Sequence, residues 1–345
     1  MARIRSLLSV AVLLGLVSLA ANAESVVLRY KFVPQQELAY DLWATGEVSI
    51  TGLPLPPPGG QSGKSEMPAM KFDMNGRYTM PVRAVDAVGN GTVGLRLDSL
   101  RMAMTMFDQS FHVVLDPARG LVQTEGKTEQ VPVAELRKAL AAWEKVSLTM
   151  SPRGQLLAAS GLEELVNSQA GMGPMPMMGG GFSSTDFEKL LKDIPPWLPE
   201  GPVAVGDTWA VQMAMPMPGL AAEPLPRFTI NYTLERFGEI EGHRLARIGF
   251  SGELAPTELA MPGPFGPGVA DLKTTIQESL AGQLYFDLDT GQMRSGRGDM
   301  TATVKVSVSG VSPSEGEGNE PSGVASEPLN MQVGVKAHFE VSPAA

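Results

Sequence analysis

Residues 77–100 read Arg77-Tyr78-Thr79-Met80-Pro81-Val82-Arg83-Ala84-Val85, then Asp86-Ala87-Val88-Gly89-Asn90-Gly91, then Thr92-Val93-Gly94-Leu95-Arg96-Leu97-Asp98-Ser99-Leu100. Two runs of alternating character flank a Gly-Asn-Gly turn, the pattern of an antiparallel hairpin. Arg96, Asp98 and Arg101 interleave with Leu95, Leu97 and Leu100. That gives the strand one wet and one buried face, and the slip in period predicts a bulge near Ser99. Farther along, Met102, Met104 and Met106 stand at i, i+2 and i+4 and so share one face, with Ala103, Thr105 and Phe107 on the other. Phe111 to Leu115 and the run from Leu121, joined through Asp116-Pro117-Ala118-Arg119-Gly120, make a second hairpin. Tight turns between long strands mean antiparallel pairing, because parallel strands need long crossovers.

The period changes in the middle of the chain. Val133, Leu136, Leu140 and Trp143 recur at helical spacing after Pro132, predicting an amphipathic helix over 132–145. Val146 to Met150 and Gln155 to Ala159 flank Ser151-Pro152-Arg153-Gly154, a further hairpin. Ser160 with Glu163, and Thr185 with Glu188, have capping-box spacing and predict short helices at 161–168 and 186–193. After Pro202 the strand pattern returns with the layout of the first half: Tyr232-Thr233-Leu234 and a turn at Gly242 match Tyr78-Thr79-Met80 and Gly91, and Leu288-Asp289 with Gly291 matches Leu115-Asp116 with Gly120. The leading strands, Leu38 to Trp43 and Asp207 to Val211, also correspond. A degenerate duplication and a single long meander both fit. Five Pro-, Gly- or Ser-rich stretches, 53–69, 171–184, 214–227, 255–270 and 309–328, are expected as loops. The expectation is a mainly β protein: long antiparallel hairpins in a curved sheet or two β-modules (24–130 and 202–345), with a small helical insert and one hairpin at 131–201.

At the start of the chain, Arg3 and Arg5 precede an apolar run from Leu7 to Ala20 and the small-x-small site Ala21-Asn22-Ala23. This reads as a signal peptide over 1–23, too short to span a bilayer, and predicts an exported, periplasmic or extracellular protein. With no cysteine in its 345 residues, the chain has no disulfide scaffold, Cys-ligated metal centre or thiol nucleophile, and no residue for a diacylglyceryl anchor. A formal charge of −10 without a basic block argues against nucleic acid as a partner.

Few patterns carry chemistry. Asp289-Thr290-Gly291 has the tripeptide of aspartic proteases, but the matching turn after Asp116 lacks it, so a hairpin turn using Asp and Gly is the preferred reading. Asp287, Asp289 and Gly291 start like a calcium loop, which fails because Gly298 stands where Glu is required. Arg297-Gly298-Asp299 is an integrin-type tripeptide placed where a strand should run. The three histidines, His112, His243 and His338, lie far apart in sequence. Met172, Met175, Met177 and Met178 form a thioether cluster able to hold copper(I), and Met213, Met215 and Met217 approach a second loop. Met102, Met104 and Met106 fit either a packed core or the lining of an apolar cavity, where flexible thioethers suit a ligand of loose shape. No pattern calls for a cofactor.

Leu198-Pro199-Glu200-Gly201-Pro202-Val203 and Val205-Gly206-Asp207-Thr208-Trp209, followed by Tyr232-Thr233-Leu234 and Phe286-Asp287-Leu288-Asp289-Thr290-Gly291, resemble uncharacterised secreted bacterial proteins classed only as a domain of unknown function. Leu28-Arg29-Tyr30-Lys31-Phe32 with Pro34-Gln35-Gln36 is similar to the start of that family, although Gln35 stands where Gly is common. The resemblance implies an architecture and no active site. At the level of fold class alone, the chain also resembles envelope lipoprotein-carrier proteins, in which a curved sheet and covering helices enclose acyl chains. The leading reading is a non-enzymatic envelope protein that binds an apolar ligand or a protein partner. A hydrolase whose carboxylates converge in the fold, a copper(I)-binding protein and a purely structural protein are the alternatives.

Overall fold

Alternating sequence of this length asks for long, half-buried strands, and the computed structural model contains them. It describes residues 24–52, 68–106, 109–116, 121–123, 141–164, 196–214, 227–260, 271–309 and 329–344. The strands are β1 (Ser25–Val26), β2 (Glu37–Thr51), β3 (Met70–Val85), β4 (Gly91–Gly94), β5 (Arg96–Met106), β6 (Gln109–Asp116), β7 (Leu121–Gln123), β8 (Ser147–Met150) and β9 (Leu156–Ser160). They continue as β10 (Val203–Ala204), β11 (Thr208–Ala214), β12 (Arg227–Ile240), β13 (His243–Ala260), β14 (Asp271–Asp287), β15 (Gln292–Ser309) and β16 (Leu329–Pro343). The protein is mainly β and antiparallel. The signal-peptide residues, the helix at 186–193, the loop methionines from Met172 to Met178 with Met215 and Met217, and nearly all of the five expected loops lie outside the described residues.

One 14-stranded sheet runs β11-β12-β13-β14-β15-β16-β2-β3 and then forks. Strand β3 pairs with β5 through Lys71 to Thr79 and with β4 through Val82 to Val85. Beyond the fork lie β6 and β7 on one branch, β8 and β9 on the other. The first hairpin therefore forms as expected, but its second strand breaks at Leu95, and the two parts, both paired with β3, take different second partners, β8 for β4 and β6 for β5. The expected bulge falls at Asp98, which the register skips between Arg77↔Ser99 and Tyr78↔Leu97. Its carboxylate is used locally, accepting the hydroxyl of buried Thr79 at 2.5 Å and the Arg96 Nε–H at 2.7 Å.

Both halves of the chain share this sheet, because β16 pairs with β2 from Gln332↔Thr51 to Pro343↔Tyr40. The halves also share a detail: the first strand pair of each carries a stacked aromatic couple, Tyr40 on Tyr78 at 5.5 Å and Trp209 on Tyr232 at 5.6 Å. One loop expectation is corrected. Strand β13 continues through 255–260, absorbing Pro256 in a bulge between Leu254 and Thr257, where the missing N–H of proline breaks no ladder bond. Helix is confined among the described residues to 141–145 and 162–164, and no helix there is long and apolar enough to cross a membrane.

The strand ends flanking four of the expected loops (Thr51 and Met70, Ala214 and Arg227, Ala260 and Asp271, Ser309 and Leu329) lie along one edge of the sheet. The opposite edge holds the tight turns and the main core. There the segment from Leu28 to Gln36 crosses as a strap. Tyr30 N–H donates to the Pro152 carbonyl, Lys31 N–H to Gly291, and Gln35 N–H to Val82. The Arg29 guanidinium donates to the carbonyls of Leu28, Pro199 and Glu200, and Lys31 Nζ donates to those of Leu288 and Asp289. Under the strap, Tyr30, Trp197 and Phe286 meet edge to face at 5.6–6.2 Å, next to fully buried Leu28, Leu198, Leu234 and Ile248.

Glycines let rings lie flat on the sheet. A Cβ on Gly282 would overlap the Arg297 carbonyl oxygen and the tip of the Phe250 ring. Gly282→Ala is expected to destabilise the fold by about 1–3 kcal/mol, the usual cost of overpacking. Urea denaturation checks this, and a loss under about 0.5 kcal/mol would mean that the backbone yields there.

Candidate functional site

Strand register sorts the side chains into two faces of opposite chemistry. On one face a transverse row reads Tyr232, Phe250, Gly282, Gly298, Phe339, Ala44, Met74 and Met102, and the next reads Ile230, Gly252, Leu280, Met300, Ala337, Gly46, Phe72 and Met104. On the other face the corresponding row reads Asn231, Ser251, Ala281, Asp299, His338, Thr45, Asp73, Ala103 and His112. Strict period-2 alternation in strands of up to 18 residues produces this segregation.

Among the described residues the apolar face is covered unequally. Over β11–β14 it belongs to the main core with Leu28, Leu198 and Val203. Over β15, β16, β2, β3 and β5 its residues, including Met300, Val335, Phe72, Met74, Met102 and Met104, remain half-buried. Met102 stands opposite Met74 and Met104 opposite Phe72, giving thioether and ring surface in one patch. Met106 closes β5 opposite Gln109. The sequence reading of one shared face for these methionines matches the register. It overlooked Phe72 and Met74, which the same alternation in β3 would have supplied. The described end of the amphipathic helix packs elsewhere: Trp143 joins Val146, Leu162, Leu95 and Leu148 beside the β4–β8–β9 branch.

On the polar face a depression of about 660 Å³ opens over β12–β16, lined among others by Asn231, Thr233, Gln283, Arg297, Asp299 and His338. His338 Nδ1 lies 2.8 Å from Asp299 and its ring meets Trp43 edge-on at 5.5 Å. Arg247 lies 2.6 Å from Glu235. The two acids that line it, Glu235 and Asp299, each face a base and not each other. The Arg297-Gly298-Asp299 tripeptide is part of β15, with Asp299 engaged by His338.

His243, Asp287 and Asp289 bring their ligand atoms within 4.8 Å of one another. Each is already engaged. Asp287 Oδ1 accepts the N–H groups of Asp289 and Thr290 at 2.9 Å, its Oδ2 lies 2.9 Å from His243 Nδ1, and Asp289 Oδ2 accepts the Arg244 N–H. With Gly291 at φ +64°, this is a built hairpin turn, as the preferred reading of Asp-Thr-Gly expected. The three histidines do not gather: His243 sits at the capped edge, and His338 and His112 are separated by Thr45, Asp73 and Ala103 along one row.

The stretches starting at Leu28, Leu198 and Phe286 converge at the capped edge, where Arg29 and Lys31 hold carbonyls of the other two. Their work is structural.

No family model matches the chain, and no curated protein matches it. Among solved structures it is similar to Pseudomonas aeruginosa OccK5 (OpdH), at 9% identity over 90% of this chain and 99% of that one, with a TM-score of 0.18. A second is Pseudomonas aeruginosa OccK2 (OpdF), solved in complex with glucuronate, at 10% identity over 93% and 100% of the two chains, with a TM-score of 0.17. Likenesses this low carry no argument about fold or function.

Proposed function

We propose that this chain is an exported, non-enzymatic binding protein of the cell envelope that holds an apolar ligand on the half-buried part of its apolar sheet face. Export rests on the signal-peptide pattern of residues 1–23. One observation supports the binding role most: the half-buried rows of Met, Phe, Val and Ala over β15, β16, β2, β3 and β5 are continuous with the core and much wider than an isolated surface residue. Met102 and Met104 lie at the β5 end of this surface, where thioethers adapt to a chain of variable shape.

The test uses N-phenylnaphthylamine, a probe that fluoresces in apolar surroundings. The wild-type protein is expected to bind it, and the double change Met102→Gln with Met104→Gln to weaken binding about tenfold, since two side chains each lose part of their apolar contact. Circular dichroism unchanged from wild type would show that the variant is folded. No binding by the wild type, or full binding by the folded variant, would remove this face as the site.

A further inference from the structure

Strand β14 alternates with one interruption. Leu272, Thr274, Ile276, Leu280, Gly282, Leu284 and Phe286 take its apolar-face positions, and between Ile276 and Leu280 the same face receives Glu278. The transverse row through it reads Leu254, Glu278, Ala302, Val335, Val48 and Met70. Apart from Glu239 and Arg244, which pair on this face at the capped edge where β12 and β13 meet, it is the one Asp, Glu, Lys, Arg or His in the apolar rows among the described strand residues from β11 across to β6.

Its surroundings offer no compensation. Ile276 and Leu254 are 3% and 5% exposed beside it. The residues that flank it in sequence, Gln277 and Ser279, point to the opposite face, as does Glu253, and cannot reach it. Among the described residues no hydrogen-bond or ion-pair partner faces the half-buried carboxylate, and burial pushes it up from its ordinary value. A leucine would continue the pattern and avoid the desolvation cost, so the carboxylate is a liability to the fold alone.

We infer that Glu278 is the head-group contact of the site proposed above, and that the ligand is a single-chain amphiphile bearing an amine, whose ammonium pairs with this carboxylate. The inference rests on the apolar-face reading. Dimensions support it: from Glu278 along its row to Met70 is four strand spacings of about 4.8 Å, roughly 19 Å of apolar surface. One leaflet's share of the bilayer core, about 15 Å, is the length of a single lipid chain. The ammonium supplies the charge that Glu278 lacks, while the tail crosses Ala302, Val335 and Val48.

Displacement of N-phenylnaphthylamine by dodecylamine, dodecanol and dodecanoate, each below its micellar concentration, tests this. Dodecylamine is expected to displace the probe at about one tenth the concentration of the other two, as a charge-assisted contact would require. Glu278→Gln, with its own probe affinity measured and used to normalise the displacement, should lose the preference for the amine. Glu278→Leu should do the same, and keeps the test valid if the Gln variant folds poorly. A preference that survives in either folded variant, or no preference in a wild type that binds the probe, overturns the role of Glu278 and leaves the apolar face standing. A wild type that binds no probe overturns both.

Discussion

Replacing Phe286 with Ala is expected to lower the unfolding free energy by about 3–5 kcal/mol, the range for truncating a fully buried aromatic ring. Phe286 is 1% exposed and lies in the main core, with Tyr30 at 5.6 Å and Trp197 at 6.2 Å, both edge to face. The cavity cannot close easily, because Tyr30 sits on a strap fixed through Pro152 and Gly291 and Trp197 precedes the clamped Leu198. A urea titration should show a lower midpoint with an unchanged slope. A loss below about 1 kcal/mol would mean that the strap collapses into the space, and that the capped edge is softer than its packing implies.

The second large effect concerns Asp287, whose side chain is 1% exposed. Burial pulls this carboxyl upward, but the Thr290 and Asp289 donors and neighbouring His243 outweigh it and hold the group below its ordinary value of 3.8. Asp287→Ala leaves two turn N–H groups and an imidazole without their acceptor and is expected to cost about 2–4 kcal/mol at neutral pH. The pH dependence has a definite sign. A carboxyl more acidic in the folded than in the unfolded state contributes fully above the unfolded value, about 3.9, and that contribution disappears as pH falls through the folded value. Wild-type stability should therefore drop below about pH 4, and Asp287→Asn should flatten that acid limb. Parallel acid limbs for the two proteins, measured by urea midpoints from pH 2 to 7, would contradict the assignment.

How much of this was legible depended on distance along the chain. The hairpin at 77–100, the slip near Ser99 and the turn at 287–291 are local, and Gly, Asn, Asp and alternation encode them within a few residues. Pro256 misled because proline reads as a break, whereas a bulge in β13 accommodates it. Pairing of β16 with β2 left no local mark, since nothing near Glu37 encodes a partner at Leu329–Pro343. The same limit hid the strap: Leu28 to Phe32 looks like a strand start, and only the fold shows Arg29 and Lys31 reaching carbonyls far along the chain. For the candidate site, the common face of Met102, Met104 and Met106 could be read from spacing. Glu278 could have been found as the single break in the β14 alternation, but its importance depends on five neighbouring strands being apolar at the same height.

The seam between β16 and β2 also bears on how the protein is made. Until residues 329–343 leave the ribosome, β2 and β15 each present an open edge, 15 and 18 residues long. At about 5–20 residues per second, the wait between the emergence of β2 and of its partner is on the order of tens of seconds. Open edges of that length recruit wrong strands, and a contact this distant in sequence forms slowly even when its partner is present. Folding that waits for this last strand would leave neither edge open to a wrong partner.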